Sequence, residues 1–268
     1  MHISLLNGVN GAIPLSHRGL AYGDGLFETL LADQSGPHFL GAHLDRLNAG
    51  ARRMGMAWSV AQSLALRGQL TALCPHLDAP HLIKVMLLRS NPGRGYDFDP
   101  LLQQTDVLVQ CSPYHRPDWA ERGARVGLAQ THVSVNSTLA GMKHLNRLDS
   151  VLARQSARAQ GVDEVLMATD SGSIIEASAA NLFFFRGGRW STPPVDQAGV
   201  AGVMREQLLA RCPQIQTKAL SVDELDQVEA AFLSNSLMGL VPIQSLMARP
   251  LPLHADIHLF QSELAKTC

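Results

Sequence analysis

Cysteine is scarce in this chain. The 268 residues hold only four, Cys74, Cys111, Cys212 and Cys268, and no two form a CxxC pair. That spacing argues against a disulfide framework or a cysteine-based zinc site and points to reduced thiols in a cytoplasmic protein. Charge of one sign is missing too. There are 22 Lys and Arg against 23 Asp and Glu, a formal net charge of −1, with no long basic or acidic run. A nucleic-acid or anionic-membrane partner therefore has no electrostatic support. No stretch reaches the ~18 apolar residues that a membrane span needs. The N-terminus lacks a basic region followed by an apolar run and a small-residue cleavage site. The histidines are scattered without metal-ligand spacing, so no metal site is expected. Gly23-x-Gly25 lacks the third glycine of a dinucleotide fingerprint.

What is present is apolar content enough for a real core, 46% of residues, in one large domain or two smaller ones. Asn7-Gly8 is a turn signal, and Asp33 to Gly36 separates two strand-like runs. Leu44, Leu47, Ala51 and Met54 recur at helical spacing, and a second helical pattern runs from Ser59 to Leu73, before Cys74-Pro75. Leu82–Leu88 and Asp106–Cys111 read as strands. The two prolines in Ser112 to Pro117 mark a linker. Strands then follow at Arg125–Gln130, Glu164–Ala168, Asn181–Phe185 and Ala230–Leu233, with helices at Asn146–Gln160 and Gly202–Cys212. Strands mixed with helices throughout predict an α/β or α+β protein. The predicted domains are a smaller one over 1–112, a linker over 113–119 and a larger one over 120–268.

Three charged residues stand in distinctive settings. Lys143 lies in Ala140-Gly141-Met142-Lys143-His144-Leu145-Asn146-Arg147, a compact apolar approach to what reads as a helix start. A lysine is ordinarily a solvated surface residue, but one that reacts as a free amine must be partly desolvated. Glu176 stands in Ile174-Ile175-Glu176-Ala177-Ser178-Ala179-Ala180-Asn181, where small residues let the backbone approach a flat ring. Arg46 follows His43 on one helix face, and its planar guanidinium can take two phosphate oxygens. Gly202-Val203-Met204-Arg205 opens a helix, whose N-terminal amides favour anions. Asn91-Pro92-Gly93-Arg94-Gly95-Tyr96 is a loop by composition.

Together with Tyr22-Gly23-Asp24-Gly25-Leu26-Phe27-Glu28-Thr29, these segments resemble the fold-type IV pyridoxal 5′-phosphate (PLP) enzymes, in the same order, from Asn7 to about Ile243. The family includes branched-chain and D-amino-acid aminotransferases. The run from Leu139 to Leu148 is most similar to its 4-amino-4-deoxychorismate lyase branch. The resemblance implies a two-domain fold with the cofactor in the interdomain cleft, and a homodimer. It implies that Lys143 holds PLP as a Schiff base and is the catalytic acid and base. It gives Glu176 the pyridine nitrogen, and Arg46, the amides of Val203 and Met204, and the side chains of Asn235 and Ser236 the phosphate. Phe27 is implied to line the substrate side, with Arg94 and Tyr96 reaching a neighbouring subunit's active site. Asp24 is expected to bond loop amides, and Asn181 to hold its loop and reach Glu176.

Many aminotransferases of the group carry a tyrosine near Asn146 or Arg147 that contacts the cofactor's phenolic oxygen, and here there is none. Asn146 or Arg147 could replace it. Many members also have threonine where Met204 stands, so a side-chain bond is lost there. The implied reaction is release of pyruvate from 4-amino-4-deoxychorismate to give 4-aminobenzoate in folate synthesis. A D-amino-acid or branched-chain aminotransferase is the alternative. Retention of Lys143 and Glu176 argues against a non-catalytic binding protein.

Overall fold

A computed structural model describes residues 2–92 and 95–266. Arg94 lies outside them. The chain groups into two compact units. One comprises Met1–His115 with Met142–Asn146, the other Arg116–Gly141 with Arg147–Cys268. The stretches expected from sequence, 1–112 and 120–268, were contiguous. The observed grouping adds a return of five residues, carrying Lys143, to the first unit.

The first unit holds β1 (Ile3–Leu6), α1 (Arg18–Tyr22), β2 (Gly25–Asp33), β3 (Gly36–Pro37), α2 (Leu40–Arg53), α3 (Val60–Leu73), β4 (His81–Ser90) and β5 (Gln104–Pro113). Its sheet is antiparallel, in the order β1-β5-β4-β2-β3. Helix α3 begins where Ser59 and Gln62 form a reciprocal capping box, which satisfies two orphan donors of the first turn. Helix α2 buries His43, Leu44, Leu47, Gly50 and Ala51, the face that its apolar spacing marks. Strand β2 pairs with β4 from Gly25 to Ala32, but β3 covers its other edge only at Ala32 and Asp33. The rest of that edge begins to be filled by the returning segment. Phe27 N donates to Lys143 O at 2.9 Å and Leu145 N to Gly25 O at 3.1 Å. Lys143 is thus in an extended stretch rather than at a helix start.

The second unit holds α4 (Trp119–Arg122), β6 (Ala124–Leu128), α5 (Leu148–Gln160), β7 (Glu164–Ala168), β8 (Ile174–Ala177), β9 (Asn181–Arg186), β10 (Arg189–Thr192), α6 (Val203–Arg211), β11 (Gln216–Thr217), β12 (Ala230–Asn235), β13 (Gly239–Leu246), β14 (Arg249–Pro250) and α7 (Asp256–Ala265). Its mixed sheet runs β11-β10-β9-β12-β13-β6-β7-β8, with β14 beside β13. Every residue of β7 and β8 is buried, as strands covered on both faces require. Phe183 and Phe232 stack across β9 and β12 with centroids 4.6 Å apart. Helix α5 ends at Gly161 in the left-handed conformation, the stop expected there, but it starts at Leu148, two residues later than predicted. Among the described residues, no helix is long and apolar enough to cross a membrane.

One buried charge cluster lies between β2 and α2. Glu28 is 2% exposed. It receives Arg46 Nε at 2.8 Å and Nη2 at 2.5 Å, and His43 Nδ1 lies 2.6 Å from it. Burial alone would raise the Glu28 carboxyl, but the charge of Arg46 and the bonds from His43 and Arg46 outweigh it and hold the pKa at about 2. Burial pushes the His43 imidazole down, and its bond to Glu28 only partly opposes this. A carboxyl depressed on folding stabilises the protein above its unfolded pKa, and that stabilisation is lost as pH falls through the folded value. Glu28→Gln should lower stability by about 3–5 kcal/mol at neutral pH, the usual cost of stranding one partner of a buried pair. It should also flatten the loss of stability between pH 4.5 and about 2. Urea midpoints measured across that range for both proteins check this.

Candidate active site

In the first unit, alternation along β2 sends Phe27 and Glu28 to opposite faces. Phe27 faces Lys143, whose Nζ sits 4.4 Å from the ring centroid. Lys84, across the sheet, lies 5.5 Å from the same ring. Lys143 as a residue is half-buried and its amine lies against an aromatic face, a setting of the kind a reactive lysine needs. Thr29 is two residues along the strand on the Phe27 side, so its hydroxyl belongs to the same face. The sequence reading passed over it, although period-2 alternation from Phe27 would have found it.

Arg46 is placed by α2 on the Glu28 side. Its Nε–Nη2 edge is taken by the carboxylate, so the guanidinium plane is set by Glu28. This partner was not foreseen, because the two residues stand 18 apart on different elements. Asn146 Nδ2 donates to Gly23 O at 3.3 Å, so this side chain braces the turn before β2. Asp24 accepts from Arg18 and Arg89. Its partners are guanidiniums, not the loop amides expected.

In the second unit Glu176 is buried on β8. Its Oε2 accepts from Val200 N at 2.9 Å, and its Oε1 lies 3.8 Å from Arg147 Nη1. Asn181, on β9, donates from Nδ2 to Val200 O at 2.8 Å. It therefore holds the loop before α6 and reaches Glu176 through Val200. Glycines make room for this. Gly199 has φ +79°, and a Cβ there would meet Ile175 Cγ2 at 2.7 Å and Glu176 Oε2 at 3.2 Å. A Cβ on Gly202 would lie 1.9 Å from Asn181 Oδ1.

Gly202 is also the N-cap of α6. The first helical bond runs from Glu206 N to Gly202 O, so the amides of Val203 and Met204 have no acceptor within the helix. That is the donor set an anion at a helix N-terminus uses. On β12, Asn235 Oδ1 accepts from Leu237 N and Met238 N, and its Nδ2 donates to Ala179 O. Asn235 shapes the turn that carries Ser236 and ties it to the small-residue stretch after Glu176. Tyr96, in the first unit, projects to solvent and packs against the Tyr22 ring at 5.3 Å.

The model of the family described as amino-transferase class IV matches residues 25–246. Among relatives, the aminodeoxychorismate lyase of Vibrio harveyi is 28% identical over 244 residues, covering 88% of each chain. A putative branched-chain-amino-acid aminotransferase of Methanocaldococcus jannaschii is 25% identical over 236 residues, covering 86% of this chain and 81% of its own. Among solved structures, 4-amino-4-deoxychorismate lyase from Pseudomonas aeruginosa superposes with a TM-score of 0.89 at 33% identity, over 98% of both chains. A branched-chain aminotransferase from Thermoproteus uzoniensis gives 0.84 at 21% identity, over 98% of this chain and 93% of its own, a likeness of fold. The family match spans both the β2 strand that carries Phe27 and the glycine-led turn into α6, so this chain belongs to the amino-transferase class IV family.

Proposed function

We propose that this protein is a PLP-dependent 4-amino-4-deoxychorismate lyase, releasing pyruvate and 4-aminobenzoate. The observation that carries the choice of reaction is the 33% identity over 98% of both chains to a lyase of that name. The Lys143-His144-Leu145-Asn146-Arg147 run and the missing tyrosine favour it over an aminotransferase. The residues present fit the cofactor. An amine is held over an aromatic ring, a buried carboxylate is fixed by one backbone N–H, and a glycine-capped helix offers its first amides.

In this reading Lys143 would hold the cofactor through its aldehyde, and its Nζ would serve as the acid and base of the reaction. Glu176 would bond the pyridine nitrogen and favour its protonated form by charge pairing. Arg46, the Val203 and Met204 amides and Ser236 would hold the phosphate, with Asn235, expected there from the resemblance, instead setting the turn that carries Ser236; Phe27 and Tyr96 would meet the substrate. When bound, PLP supplies a sink for the electron pair left as a proton leaves the carbon bearing the amine. Lys143 Nζ takes that proton and passes one toward the departing enolpyruvyl group, which leaves as pyruvate while the ring becomes aromatic. The proposed assembly is a homodimer. Leu15, Leu20 and Leu101, exposed apolar side chains of the first unit, are the kind of surface an interface covers. The proposed setting is the cytoplasm, where the buried thiols of Cys74, Cys111 and Cys212 remain reduced.

Purified holoenzyme given 4-amino-4-deoxychorismate should form 4-aminobenzoate and pyruvate in equal amounts. Transfer from D-alanine to 2-oxoglutarate should be slow beside it, and the reverse ranking would make the protein an aminotransferase. Lys143→Ala should lose turnover and the yellow colour of the holoenzyme together. Near-normal turnover without an added amine would remove Lys143 from the chemistry. Glu176→Gln keeps the side-chain volume and removes the charge. Its turnover should fall by about tenfold or more, with cofactor affinity changed much less. Unchanged turnover at equal affinity would exclude the role given to Glu176.

A further inference from the structure

Arg18 opens α1 and is only 6% exposed, yet most of its hydrogen bonds go to one surface loop. Nη1 donates to Gly95 O at 2.9 Å and to Asp97 O at 3.0 Å, and Nη2 donates to Tyr96 O at 3.0 Å. Nε is fixed by Asp24 Oδ2 at 2.9 Å. Tyr22, at the other end of the same short helix, accepts from Gly95 N through its hydroxyl at 3.0 Å. The Phe98 ring lies 5.7 Å from the Arg18 guanidinium and 4.1 Å from that of Arg89. Arg89 is itself anchored to Asp24, Gln103 and the carbonyls of Met54 and Gly55. The backbone from Gly95 to Asp97 is therefore bonded, carbonyl by carbonyl, to a buried cation.

Burying a guanidinium is costly unless its donors are used, and surface loops are ordinarily left mobile. Here the expense falls on a loop whose central side chain, Tyr96, is 87% exposed. Little of that ring is buried to offset the fixed backbone. The arrangement makes physical sense if the ring must be presented in one place to something outside the unit. An aromatic side chain fixed before binding loses little entropy when it is met.

We propose that Arg18 is a positioning residue for substrate recognition, holding the Gly95–Phe98 loop so that Tyr96 meets the substrate. Tyr22 is the second support. This rests on the reading of Tyr96 as a substrate contact, and the test separates the two. Full-length holoenzymes of Arg18→Met, Tyr22→Phe, Tyr96→Ala and the Arg18→Met/Tyr96→Ala pair are compared for KM, kcat, cofactor affinity and Tm. Tyr96→Ala should raise KM for 4-amino-4-deoxychorismate by about tenfold, with kcat within about twofold and the cofactor spectrum intact. Arg18→Met should do the same, and Tyr22→Phe should raise KM by about threefold. Because Arg18 acts through Tyr96, the double variant should match Tyr96→Ala rather than show the product of the two effects. Normal KM in Tyr96→Ala would remove the substrate contact, and the inference with it. A raised KM in Tyr96→Ala with normal KM in Arg18→Met would overturn the positioning role alone. So would independent, multiplying effects in the double variant, or a loss of kcat and cofactor affinity in place of a change in KM. Should Arg18→Met fail to fold, Tyr22→Phe decides: normal KM there, with raised KM in Tyr96→Ala, overturns the proposal.

Discussion

The alternation of β2 at Phe27-Glu28 is the constraint from which the first unit follows. One residue offers an aromatic face to Lys143, and the next puts a carboxylate under Arg46 and His43. A slip of one position would exchange the two faces. The lysine would then meet an acid, and the arginine would lose the group that sets its plane. The register of β2 on β4, kept over eight consecutive pairs from Gly25 to Ala32, is what prevents that exchange. The charge cluster is thus tied to the strand pairing, and the pairing to the placement of the amine.

The second unit solves a different problem, the fixing of a carboxylate in a buried place. Glu176 is oriented by the amide of Val200, and Val200 by the carboxamide of Asn181. The chain of bonds is short because two glycines allow the backbone to come close. The same Gly202 that clears Asn181 also starts α6, so the loop behind Glu176 and the anion-favouring end of the helix share one residue.

Much of this was legible in the residues. Apolar spacing marked α2, and Ser59 and Cys74-Pro75 bracketed α3. The glycine-led turn marked α6 to within a residue. These are local signals, carried within a few positions of each other. The unread parts depend on distant partners. Glu28 meets Arg46 across 18 positions, and Arg18 meets the loop at Gly95 across 77. Nothing in a local period identifies such pairs. The stretch after Lys143 reads as the start of a helix because its residues allow one. The open edge of β2 offers backbone partners that hold it extended instead, and the helix is delayed to Leu148.

The return of Met142–Asn146 to the first unit has a consequence for synthesis on the ribosome. When residues 1–115 have emerged, one edge of β2 still lacks the strand that pairs at Phe27 and Gly25. An exposed strand edge is a template for unwanted pairing, and contacts spanning more than a hundred residues form slowly. The nascent first unit must keep that edge unpaired until Leu145 appears. The lysine then arrives on the segment that closes it. A fragment cut after residue 115 would lack both the edge cover and the lysine.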